Sequence, residues 1–155
     1  MGERKFSDIF EATVTNTIGT YSPGFLIGEL MTLTDVDSMK SISGVFTNIT
    51  VGDLDQEAVD LDLVIFTADP VNTTFTDFLA LDIDEADIDK IAGNMEVRTD
   101  FSYAGGARGT SEGKNQNIVV RVRAGINVFA ACVSRGAPTY TRTDALNFRF
   151  GFLED

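Results

Sequence analysis

The chain has 155 residues, 43% of them hydrophobic and 23% charged, and carries a net charge of −12 from 24 acids and 12 bases. That length suits one domain burying roughly two thirds of its unfolded surface, and the composition is far from that of a disordered chain. A single cysteine and no histidine exclude an internal disulfide, a cysteine-based zinc cluster and both Ser–His and Cys–His catalysis, and the acidic balance argues against direct nucleic-acid binding except through a local patch in the last third.

The first residues, MGERKFSDIFEATV, lack the apolar run of a signal peptide, and Phe6 stands where a myristoylation pattern needs Ser or Thr. No segment approaches the roughly 18 apolar residues of a membrane span, so neither secretion nor membrane insertion is expected. Period-two alternation with β-branched and aromatic residues predicts strands at 9–15, 24–33, 42–51 and 58–67, and again at 95–103, 117–124, 126–134 and 145–153. Between these groups DIDEADIDKIAG predicts a helix over 85–92, capped by Asp84 and stopped by Gly93, with Ile88 and Ile91 in apolar contact. The stretch AGGARGTSEGKNQ, 104–116, reads as a long exposed hairpin loop. The expected class is all-β: an antiparallel, jelly-roll-like β-sandwich with one short helix, forming a single domain over 1–155.

Charge is unevenly spread. From Asp53 to Asp89 there are twelve acids and no base, whereas residues 90–155 hold six acids and nine bases. Within AVDLDLVIFTADPVNTTFTD, Asp60 and Asp62 alternate with Val59, Leu61, Leu63 and Ile65, which on a strand puts the carboxylates on a wet face and the aliphatics on a core face. Asp53, Asp55, Asp60 and Asp62 are near enough in sequence to suggest calcium, but no loop has EF-hand order. A carboxylate pair for glycoside hydrolysis is the other chemical reading. Gly109–Gly113 matches G-x-S-x-G without the histidine or the strand-to-helix turn of a nucleophile elbow. Gly113–Lys114 fails as a phosphate loop, since Arg108 and Asn115 break the pattern. Cys132, within VFAACV, reads as a small buried hydrophobe. Arg121 and Arg123 share one strand face, and Phe148, Phe150 and Phe152 share another that belongs in the core, with Arg149 opposite. No catalytic group, cofactor or metal-ligand set is therefore assigned. Candidate interface residues are Asp60, Asp62, Arg121 and Arg123, meeting head to tail in a small ring.

GELMTL (29–34), LDLVIFTADPVNTTFTD (61–77), DIDKIAG (87–93) and RGAPTYTRTDALNFRFGFLED (135–155) together resemble a group of small virion structural proteins of tailed bacteriophages. The resemblance implies a β-sandwich virion protein that is not an enzyme: a capsid decoration or auxiliary protein binding the major capsid protein or other virion proteins. It would be assembled in the host cytoplasm; the unlike charge of spans 53–89 and 90–155 adds the expectation of a homo-oligomer, a trimer or other small ring, and the residues themselves point to no partner in membrane or nucleic acid. Head-fibre and tail accessory roles remain open, including receptor or carbohydrate binding, for which Tyr21, Tyr103 and Tyr140 are the residues to inspect.

Overall fold

The computed structural model describes residues 7–33, 42–98, 109–113, 118–122 and 127–154, with backbone alone for 7–10, 42–43, 109–113, 118–122 and 154. Its strands are β1 (Ser7–Thr13), β2 (Gly19–Thr20), β3 (Met31–Leu33), β4 (Ile42–Asp53), β5 (Leu61–Phe66), β6 (Ile91–Arg98), β7 (Gly109–Gly113), β8 (Ile118–Val122), β9 (Val128–Ser134), β10 (Thr139–Tyr140) and β11 (Leu146–Glu154). The fold is all-β and antiparallel. Among the described residues, nine strands form one sheet in the order β1-β11-β4-β7-β6-β5-β9-β3, with β8 also on β4, while β2 and β10 make a separate pair. The ends of the long path, β1 and β3, come back alongside each other. The sheet thus curls round a core drawn from β3, β4, β5, β6, β9 and β11.

Alternation explains most of that core. Leu146, Phe148, Phe150 and Phe152 of β11 are all buried, and Arg149 stands outside them, paired with Glu11 across β1. On β4 the buried hydrophobic side chains are Phe46, Ile49 and Val51, whose spacing of three and then two violates period two. The register supplies the reason: Asn48 faces Gly151 but Phe46 faces Phe152, so Thr47 is an extra residue. This bulge turns Phe46 onto the same side as Ile49 and Val51, against the phenylalanines of β11.

The other faces of β5 and β9 are covered too. Leu26, Phe66 and Ala131 form a second apolar cluster, against which Val64, Phe75, Leu81, Ile83, Ile91 and Phe129 pack. Its cover is the excursion from Thr67 to Lys90 that joins β5 to β6, together with the 25–30 segment. The latter is not the continuous strand expected over 24–33. Phe25 and Leu26 make isolated bridges to Ala80 and Val133, and Gly28, at φ +73°, breaks the run before β3. A Cβ on Gly28 would also lie 2.6 Å from that of Val14, so no other residue fits there.

Two other expectations need correcting. The helix over 85–92 is a 3₁₀ helix, Glu85–Lys90, and Ile91 already begins β6, so Gly93 stops nothing. Asp84 does cap it, accepting from the Ala86 N–H at 2.9 Å, but Ile88 points outward, 55% exposed, instead of touching Ile91. Within the expected loop 104–116, residues 109–113 are strand β7, which pairs with β4 on one side and β6 on the other. Glycine and serine are accommodated in a strand here because backbone ladders form on both of its edges. Deleting 106–112 should therefore unfold the protein or lower its thermal midpoint sharply, since it removes the strand that joins β4 to β6. A variant that melted like wild type would show β7 to be dispensable.

Candidate functional site

The acidic span is the feature on which a site would have to be built, and its carboxylates turn toward their own backbone. Where β4 ends, Asp53 accepts the N–H groups of Asp55 and Glu57, both at 3.0 Å. Gln56 and Ala58 take left-handed φ values of +58° and +50° to close that turn. Burial raises the Asp53 carboxyl above its ordinary range, against the opposing effect of these N–H groups. The same turn docks onto β10. Asp55 accepts Thr141 N–H at 2.8 Å and the Thr141 hydroxyl at 2.7 Å, and Glu57 accepts Thr139 N–H at 2.8 Å.

The 67–90 excursion is pinned at two points. Asp77 accepts Thr17 N–H at 2.6 Å, Gly28 N–H at 2.7 Å and the Tyr21 hydroxyl at 2.8 Å. Burial, and then Asp77 as acceptor, push the Tyr21 phenol well above its ordinary range, so it remains a donor. Asp87, 0% exposed, accepts the N–H groups of Asn72 and Thr73 at 2.9 and 2.7 Å, the Thr73 hydroxyl at 2.8 Å and the Lys90 ammonium at 2.7 Å. Lys90 reaches on to the Asp69 carbonyl at 2.8 Å, and the Thr73 hydroxyl oxygen accepts Asp84 N–H at 3.1 Å. Burial alone would raise the Asp87 pKa, but donation from Lys90, Thr73 and Asn72 outweighs it and holds the carboxyl well below the usual range.

Asp60 and Asp62 sit at the start of β5, and the wet face expected for them holds only in part. Asp62 is 5% exposed. Its side of β5 is the side covered by the second cluster, and the Arg135 guanidinium closes over it in an ion pair. Asp60 is open and faces Arg98, 3.5 Å away, which also meets Glu96 at 3.1 Å. Arg121 lies on β8 opposite Ser43, and β6 stands between β8 and β5; the Arg121 side chain and all of Arg123 lie outside the described residues. The structure therefore brings Asp60 and Asp62 to bases of their own chain that the sequence reading did not select. Asp62→Asn should cost about 1–2 kcal/mol in urea unfolding, more than a solvated carboxylate would, because it weakens a charge-assisted bond whose other partner is half in water. A loss below about 0.3 kcal/mol would return Asp62 to the wet face.

Other candidates fare variously. Tyr21 and Tyr140 are 0% and 1% exposed, packed edge to face at 5.6 Å, and so present no ring to a sugar; Tyr103 lies outside the described residues. Their polar neighbours in sequence read as turn residues, but the rings fill the core. Gly109–Gly113 forms a strand and not a nucleophile elbow. Cys132 is buried, and burial followed by the Asp62 charge pushes its thiol well above its ordinary range. Among the described residues, no three His, Cys, Asp or Glu side chains are grouped to hold a metal, and no helix is long and apolar enough to cross a membrane. The chain matches no protein-family model, and no curated protein matches it significantly. Taken together, these acids accept backbone N–H groups of irregular segments and tie them to the sheet.

Proposed function

We propose that the chain is a non-enzymatic structural protein of a tailed-bacteriophage virion, a capsid decoration or auxiliary protein that stabilises the head. In this reading the curled sheet is a jelly-roll-like β-sandwich, made in the host cytoplasm and carried in the virion as a small oligomer, a trimer, on the major capsid protein. One observation supports it best. The phrases that resemble virion proteins are those that build the pinned architecture: Thr73, Asp77 and Asp87 lie in LDLVIFTADPVNTTFTD and DIDKIAG, and the Thr139 and Thr141 that receive the acidic turn lie in RGAPTYTRTD. A protein whose acids lock loops into fixed shapes suits repeated docking better than turnover. Between copies, Asp60 with Arg121 and Arg123 of a neighbour are the contacts to test; Asp62 is the weaker candidate, being covered by Arg135.

Mass spectrometry of purified particles, with immunogold labelling, tests the reading. Label spread over heads in many copies is the expected result. Label confined to tails would replace decoration by a tail accessory role, and absence from particles would overturn the proposal.

A further inference from the structure

Of the five large hydrophobic side chains exposed among the described residues, three lie on the 67–90 excursion: Val71 at 70%, and Leu79 and Ile88 at 55% each. They form one face. The Asn72 N–H bond to Asp87, 2.9 Å long, ties the stretch that bears Val71 to the 3₁₀ helix that bears Ile88. A shallow groove of about 340 Å³ runs between Asn72 and Leu79, with Asp82 and Asp84 among its lining residues. The frame is acidic: Asp69, Asp82, Asp84, Glu85 and Asp89 are all exposed, while the local base, Lys90, is committed to Asp87 and the Asp69 carbonyl. Apolar residues held out in water inside a ring of one charge sign mark a contact surface with an oppositely charged partner.

We infer that the face formed by Val71, Leu79 and Ile88 docks on a partner protein, at an apolar patch rimmed by lysines and arginines. This rests on the virion reading, in which that partner is the capsid shell. A second copy meeting the same face by two-fold symmetry would set the acidic frame against itself. Asp77 and Asp87 order the excursion before any partner arrives, so little loop entropy is lost on docking.

The test is cosedimentation of purified protein with particles assembled without it. Compared with wild type would be Val71→Asp/Ile88→Asp, Asp82→Lys/Glu85→Lys, and Glu29→Lys as a charge reversal elsewhere on the surface, all at low and high salt. Wild type should bind, more weakly as salt rises. The two face variants should lose about tenfold or more in affinity, corresponding to about 1.4 kcal/mol, and Glu29→Lys should bind as wild type. If the apolar double variant fails to fold, the charge variant decides alone. Wild type binding with both face variants unimpaired, or with Glu29→Lys equally impaired, overturns this surface and leaves the virion reading standing. Failure of wild type to bind overturns both.

Discussion

Asp87→Ala should lower the thermal midpoint by about 10 °C at neutral pH, the range expected when a buried, fully bonded charge is removed from a domain of this size. The reason is what the substitution leaves behind. The N–H groups of Asn72 and Thr73, the Thr73 hydroxyl and the Lys90 ammonium all lose their acceptor. Asp87 is itself fully covered, so the Thr73 donors in particular are left facing a space that the protein no longer fills. The pH dependence has a definite sign. A carboxyl whose folded pKa is depressed stabilises the fold above its unfolded value, near 4, and that contribution drains away as pH falls from there toward the folded value. Wild type should therefore lose its advantage over Asp87→Ala progressively below about pH 4. Equal midpoints at neutral pH would mean that the network follows the excursion and does not hold it.

Leu63→Ala and Phe148→Ala should each cost about 3–5 kcal/mol in urea unfolding with little change in the slope. Leu63 is 0% exposed on β5 and is flanked by Met95 on β6 and Cys132 on β9. Phe148, 1% exposed, stacks on Phe150 with centroids 6.4 Å apart and sits opposite Val51. Neither site lies at a free end that could collapse into the cavity. Losses below about 1 kcal/mol would mean that the curled sheet relaxes round the missing atoms and that its core is not close-packed.

What could be read beforehand was whatever repeats. The phenylalanines of β11, the aliphatics of β5 and the burial of Cys132 follow from period two and hydrophobicity, and the structure has them as expected. What could not be read depends on partners far along the chain. Asp87 looks like a first-turn acid complementing a helix dipole, and nothing near it announces that Thr73, fourteen residues back, will deliver four of its bonds together with Asn72. Asp62 reads as wet because its alternation is that of a one-sided strand; the second face is supplied by an excursion whose apolar residues, Phe75, Leu81 and Ile83, are too scattered to show a period. β7 escaped for the opposite reason, since GTSEG has the composition of a turn and its strand character comes entirely from the two neighbours that pair with it.

The Thr47 bulge has a consequence for how the chain finds its alignment. Two regular antiparallel strands can slide past one another by two residues and still present the same faces, so such slips are the natural errors of a sheet. β4 cannot slide on β11 without cost, because its inward side chains fall in two phases, Phe46 in one and Ile49 with Val51 in the other, and only one offset reconciles both with Phe152, Phe150 and Phe148. Gly44 sharpens the selection: the Leu153 carbonyl and the Phe152 ring occupy the space where a Cβ would stand, so that exchange can be made only at a residue without one. The bulge thus acts as a vernier mark, giving two strands of alternating pattern a unique reading against each other.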